Sequence, residues 1–233
     1  MFTAGSSGEP KAIRKSIRQL DAEVTTLERL WGARLGHATV IATVSHQHIY
    51  GLLFKVLWAL AAGRPFQADT VRDPISMVSS IARHRKTVCV TSPAFLKRFP
   101  SDILAAIERP TEITLCSSGG LLPTPSAHRI GRQLGHPPTE VYGSTETGGI
   151  AYRQQWPTEH DAPWTALPGV DIGANASGQL LVRSPHLPDD AWHLAGDQGA
   201  LIAARRFRLG TRIDRIVKVE EKRLSLTAME AEL

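Results

Sequence analysis

Apolar residues recur at helical spacing early in the chain. Ile17, Leu20, Val24, Leu27, Leu30 and Trp31 share one stripe and predict a helix packed on a core. Residues 39–44 are rich in β-branched side chains and predict a strand. The longest apolar stretch, residues 50–62, is interrupted by Lys55 and predicts a core helix that Gly63 terminates. It is too short for a bilayer, which takes roughly 20 residues, so no membrane span is expected. Asp73-Pro74 and Ser92-Pro93 each pair a capping residue with a first-turn proline and open further helices. Residues 88–90, 112–116 and 140–142 read as strands, and residues 126–134 as a helix. Strands alternating with helices predict a parallel sheet flanked by helices, an α/β fold. Near Gly149 the texture changes. Pro157, Pro163, Pro168-Gly169, Asn175, Gly178, Pro185 and Pro188 bracket short segments such as 179–183, which predicts a small β-rich subdomain. The expected division is an α/β part over 1–149, a β-rich part over 150–210 and the start of another unit over 211–233.

Composition adds limits. With 42% hydrophobic residues in 233, the chain can bury a sizeable core. A net charge of +5 admits a polyanionic partner, and nucleotide phosphates qualify. The basic runs 83–86 and 205–208 are short and far apart in sequence, and read as solvated faces, so no nucleic-acid partner is expected. Cys89 and Cys116 lie in apolar runs with no CxxC and no secretory signal, which fits reduced thiols in a cytoplasmic protein.

Four segments carry candidate chemistry. Thr3-Ala4-Gly5-Ser6-Ser7-Gly8-Glu9-Pro10-Lys11 has two glycines that allow backbone N–H groups to converge on an anion, two hydroxyls and a cation. Taken alone it also reads as a flexible linker, and it is not a Walker A loop. Tyr142-Gly143-Ser144-Thr145-Glu146-Thr147-Gly148-Gly149 follows an apolar strand, at the strand end where parallel sheets bind ligands. There a carboxylate can hold Mg²⁺, a hydroxyl can donate to phosphate and an aromatic ring can stack on a base; taken alone, the segment also reads as a polar turn. In Trp192-His193-Leu194-Ala195-Gly196-Asp197-Gln198-Gly199, an Asp between tight-turn glycines is either structural or an acceptor for ribose hydroxyls. Arg212-Ile213-Asp214-Arg215-Ile216-Val217-Lys218 reads most simply as an amphipathic strand.

In this order the four segments resemble the motifs of the adenylate-forming superfamily of acyl- and aryl-CoA ligases, luciferases and peptide-synthetase adenylation domains. Ser45-His46-Gln47-His48-Ile49-Tyr50 resembles the His-Ile-Tyr segment of coumarate-type ligases, and Ser117-Ser118-Gly119-Gly120-Leu121-Leu122-Pro123 resembles the family's small-residue loop. The resemblance implies part of the large N-terminal domain of such an enzyme. It implies ATP-dependent activation of a carboxylic acid as an acyl-adenylate, with Mg²⁺, and transfer to the thiol of coenzyme A or of carrier-protein phosphopantetheine. Partners would be a small carboxylic acid and, for the second acceptor, an acyl carrier protein. Thr3, Gly5, Ser6, Ser7, Gly8 and Lys11 would cradle phosphates, and Gly119, Gly120, Tyr142, Gly143 and Ser144 would line the adenine site. Thr145 would touch the α-phosphate, Glu146 would ligate Mg²⁺, and Asp197 with Arg212 would hold ribose. His48, Ile49, Tyr50, Gly119, Gly143 and Gly148 would form the acyl pocket, with His48, Thr145 and Glu146 acting in catalysis. Asp214 matches the hinge.

Departures accompany the match. Met1 lies two residues before Thr3, so no strand is expected to lead into the phosphate loop. The lysine that assists adenylation in the family has no counterpart, and Thr211 stands where glycine is usual. Glu221 also replaces a usual glycine, in a segment resembling ligases of bacterial aryl-polyene and xanthomonadin pigment clusters, which implies an aromatic acid. Two readings stand: an acid–thiol ligase, or a non-catalytic nucleotide-binding relative with little activity of its own.

Overall fold

The computed structural model describes residues 2–4, 10–100, 103, 111–158, 162–213, 216–219 and 222–225. These fall into two compact units. The parallel unit comprises Val24–Tyr142 and Arg153–Ala162; the antiparallel unit comprises Met1–Glu23, Gly143–Tyr152 and Pro163–Leu233.

In the parallel unit, β3 (Thr39–Ala42), β4 (Phe66–Thr70), β5 (Lys86–Thr91), β6 (Glu112–Ser117) and β7 (Thr139–Ser144) run parallel in the order β7-β6-β5-β3-β4. Ile41, Cys89 and Leu115 stand in register across three strands and enter one apolar cluster with Met77, Ile81 and Phe95. Alternation turns Val40, Val88, Val90 and Cys116 to the other face, where they too are buried. This two-sided burial explains the near-continuous apolar strand sequences. Both predicted Pro-led helices form: α4 (Pro74–Ile81), capped by Asp73 accepting from Ser76 N–H at 2.9 Å, and α5 (Pro93–Lys97), capped by Ser92. Helix α6 covers Thr124–Leu134.

The apolar stretch is a helical run in three pieces rather than one regular helix: α2 (Ile49–Gly51), a π-helical segment Leu52–Leu57, and α3 (Trp58–Ala61). Gly63 ends it as expected, at φ +63°, with Arg64 N–H bonding Ala59 O at 2.8 Å and Gly63 N–H bonding Leu60 O at 3.2 Å. The interrupting Lys55 is buried because its ammonium donates to Ala68 O at 2.7 Å. Phe54, Trp58 and Trp31 of α1 (Ile17–Leu35) pack with ring centroids 5.6–6.4 Å apart.

The antiparallel unit holds β8 (Gly148–Gln154), β9 (Trp164–Ala166), β10 (Asp171–Ala174), β11 (Gln179–Arg183), β12 (His193–Ala203) and β13 (Arg206–Arg212), in the order β10-β11-β12-β13-β9-β8. A β-rich region is therefore present where turn residues become dense. The Gly196-Asp197-Gln198-Gly199 segment departs from expectation. It lies inside the long strand β12, not in a tight turn, with a register shift between Asp197 and Gly199. Gly199 serves close packing: a Cβ there would lie 2.6 Å from Leu180 Cδ2. Two hairpins complete the described backbone, β1–β2 (Phe2–Ala4, Pro10–Ala12) and β14–β15 (Ile216–Val219, Lys222–Ser225). The first modifies a sequence expectation: a short strand begins at Phe2, one residue ahead of the candidate phosphate segment, and pairs the two ends of that segment, Thr3 and Lys11.

The predicted α1 stripe also needs correction at its start. Ile17 is 85% exposed, whereas Gln19 and Glu23 are 4% and 3% exposed. Each of these two polar side chains bonds a distant backbone group, so burial there follows hydrogen bonding rather than hydrophobicity.

Candidate functional site

In the antiparallel unit the candidate site is built on the turn joining β7 to β8. Ser144 and Thr147 lock it reciprocally: Ser144 N–H donates to Thr147 Oγ1 and Thr147 N–H to Ser144 Oγ, both at 3.1 Å. Thr147 Oγ1 also donates to Gly148 O at 2.9 Å. Local hydroxyls thus consume the turn's own donors. Thr145 and Glu146, between the locking residues, stay half-exposed. Gly143 is dictated by crowding, since a Cβ there would lie 2.3 Å from Gly148 O. Gly148 has φ +71°, and a Cβ would lie 2.6 Å from Glu23 Oε2.

Four residues that the motifs did not single out surround this turn or its strand. Lys15 Nζ donates to Glu146 O at 2.8 Å and to His186 O at 2.9 Å. Glu23 Oε1 accepts from Gly149 N–H at 2.7 Å. The His186 ring meets Gly149 O through Nδ1 at 3.0 Å. Burial dominates the electrostatics here. It raises the Glu23 carboxyl to about 7 against the pull of Gly149 N–H and Lys15, lowers His186 to about 4, and lowers Lys15 despite the nearby Glu23 and Glu146 charges. The sequence signal was the four-residue spacing of Lys15, Gln19 and Glu23, the first just before α1 and the other two on one face of it. In the parallel unit, Glu140 is 1% exposed and accepts from Leu122 N–H at 3.0 Å, Arg153 Nε at 2.9 Å and Gln155 Nε2 at 2.6 Å. It ties the small-residue loop to β7. Its only sequence signal was a charge within an apolar strand.

Asp197 and Arg212 stand opposite one another on β12 and β13, and Asp197 Oδ1 lies 3.8 Å from Arg212 Nη1. The carboxylate is nearly buried and its partner half-exposed. Such a pair presents acceptors and a cation together, the groups needed for a hydroxyl-rich anionic ligand.

Further candidate residues lie in the parallel unit. His48 is the exposed N-cap residue of α2, with no capping bond from its side chain. Ile49 and Tyr50 are half-buried, and the Tyr50 hydroxyl donates to Cys116 O at 2.7 Å. Ser118 Oγ donates to Val141 O at 2.8 Å, holding the loop that carries Gly119 and Gly120 against the strand leading to Tyr142. Gly119 has φ +95° and open space where a Cβ would be. Gly119 and Gly120 are both exposed. Gly5, Ser6, Ser7, Gly8 and Asp214 lie outside the described residues; Thr3 and Lys11 are paired strand positions. Both cysteines are buried as free thiols, and burial pushes Cys116 up to about 12 and Cys89 higher still.

Among the described residues no cluster of three His, Cys, Asp or Glu side chains forms a ready metal cage. Mg²⁺ does not require one. It is commonly held by one or two carboxylates together with waters and substrate phosphates, and the half-exposed Glu146 fits that mode. No described helix is long and apolar enough to cross a membrane.

The AMP-binding enzyme family model matches residues 1–187. An indoleacetate–CoA ligase from Aromatoleum aromaticum is 24% identical over 229 residues, spanning 90% of this chain and 43% of that protein. A 4-coumarate–CoA ligase from Rhodobacter capsulatus is 29% identical over 174 residues, spanning 74% and 43%. Among solved structures, an amide bond synthetase, McbA from Marinactinospora thermotolerans, superposes with TM-score 0.81 at 19% identity over 99% of this chain and 52% of its own. A malonyl-CoA ligase in complex with methylmalonyl-CoA and AMP gives 0.79 at 20% identity, over 99% and 56%. The chain therefore spans about half the length, or less, of these proteins.

Proposed function

Because the chain belongs to the AMP-binding enzyme family, we propose that it forms the nucleotide-binding part of an ATP-dependent acid–thiol ligase. The observation that carries this reading is the turn after β7, whose backbone is held by Ser144, Thr147, Lys15 and Glu23 while Thr145 and Glu146 remain accessible. In this reading a substrate carboxylate attacks the α-phosphorus of ATP and pyrophosphate leaves in line. The acyl-adenylate then yields its acyl group to a thiolate. Phosphoryl transfer leaves little covalent work to the protein, so positioning and charge matching dominate. Tyr142 stacks on adenine, Asp197 accepts from ribose hydroxyls with Arg212 beside it, and Thr145 donates to the α-phosphate. Glu146 would hold Mg²⁺, which would supply neutralising charge to the phosphates when bound. His48 borders the acid.

The CoA ligase relatives support coenzyme A as the thiol, and the acids that two of them are named for, indoleacetate and 4-coumarate, support a planar aromatic acid. Exposed Gly119 and Gly120 leave room beside such a ring. The test is calorimetry of the folded chain with AMP and with non-hydrolysable acyl-sulfamoyl adenosines. A cinnamoyl or hydroxybenzoyl analogue binding more tightly than AMP and than a lauroyl analogue is the expected order. A lauroyl preference rejects the aromatic acid, and a folded chain that binds no adenosine compound rejects the ligase reading.

A further inference from the structure

We propose that Lys15, Gln19 and Glu23 are positioning residues that clamp the backbone of residues 144–149 and of His186, so that Thr145 and Glu146 are presented to the phosphates of the nucleotide. This rests on the reading above. None of the three belongs to a nucleotide motif, yet each spends its polar atoms on a backbone group far away in sequence. Lys15 binds Glu146 O and His186 O, Gln19 Nε2 binds His186 O at 3.0 Å, and Glu23 binds Gly149 N–H. His186 closes the ring by bonding Gly149 O. The turn is thus gripped at Glu146 and Gly149, on either side of Thr147, by one row of side chains at four-residue spacing. Glu23 is almost fully buried, so its removal takes the acceptor from the buried Gly149 N–H without replacing it by bulk water. Gly148 is matched to this arrangement, because any Cβ there would displace the Glu23 carboxylate. Thr145 and Glu146 take no side-chain part in the clamp and stay available to a ligand.

The experiment compares Mg-ATP and adenosine binding to the full chain by calorimetry, in wild type, Lys15→Met, Glu23→Ala and Glu23→Gln. A clamp on the phosphate side weakens ATP by about tenfold or more in Lys15→Met and Glu23→Ala, and leaves adenosine within about twofold, the scale of losing one hydrogen bond to a charged group. Glu23→Gln, which retains an acceptor for Gly149 N–H, restores most of the ATP affinity. Unchanged ATP binding in both disruptive variants overturns the proposal, as does an equal loss of ATP and adenosine, which marks a merely structural role. Amide hydrogen exchange in folded Lys15→Met and Glu23→Gln gives a second measurement should Glu23→Ala not fold. Selective loss of amide protection across residues 146–149 in Lys15→Met supports the clamp, and unaltered protection across them overturns it. A wild type that binds neither ligand overturns the functional reading, and the exchange result then judges the backbone clamp by itself.

Discussion

At the scale of residues, Asp197 and the Glu23–His186 pair carry the sharpest expectations. Asp197 is nearly buried beside Arg212. Asp197→Ala is expected to weaken AMP and adenosine alike, by about 1–3 kcal/mol, because ribose is common to both. An unchanged Kd by calorimetry removes Asp197 from the site. Glu23 and His186 act on stability in opposite senses. Glu23 rises from 4.5 to about 7, so between those values the folded protein keeps a proton that the unfolded chain releases, and stability falls as pH rises. His186 drops from 6.5 to about 4, so across that window the unfolded chain takes a proton that the folded one refuses, and stability grows as pH rises. The two contributions oppose each other over pH 4.5–6.5. Relative to wild type, His186→Asn exposes the falling limb and Glu23→Gln the rising one, each with a slope of at most about 1.4 kcal/mol per pH unit. Urea midpoints at three pH values within the window check this; variants that both parallel wild type refute it.

At the scale of elements, the β7–β8 connection tolerates no side chain at Gly143, where the opposing carbonyl approaches to 2.3 Å of a Cβ. Gly143→Ala is expected to cost about 1–3 kcal/mol through overpacking, measured by urea unfolding. Elements stabilised by local pattern were legible. Strands β3, β5, β6 and β7, helices α4 and α5 with their Pro-led caps, and the Gly63 stop all follow from periodicity and capping chemistry. Elements stabilised by distant partners were not. β4 was not predicted, because its half-exposed Phe-Gln-Ala-Asp-Thr is paired on a sheet edge rather than buried in the middle. The π-helical segment depends on packing that no periodicity encodes. Of the candidate site, the sequence motifs supply the residues on described positions, among them Asp197 and Arg212, which the structure sets opposite one another. Lys15, Glu23, His186 and Glu140 were missed because their partners are backbone groups or side chains brought close only by folding.

At the scale of the molecule, a net charge of +5 favours a polyphosphate ligand, and its binding registers in global stability. ATP at one hundred times its Kd should add about 2.7 kcal/mol. For a chain of this size that corresponds to a rise in Tm of about 5–10 °C. Scanning fluorimetry checks it, and the rise should shrink with added salt more for ATP than for adenosine. The two compact units are interleaved in sequence: the chain passes from one to the other after Glu23, Tyr142, Tyr152 and Ala162. Synthesis order therefore matters. The parallel unit has all of its segments once Ala162 has left the ribosome, whereas the antiparallel unit still awaits Pro163–Leu233. At about 5–20 residues per second that delay lasts roughly 4–14 s. During it, the nascent chain carries a completed α/β sheet and a stranded first segment, with Lys15 and Gln19 already out and the His186 carbonyl they share still to emerge.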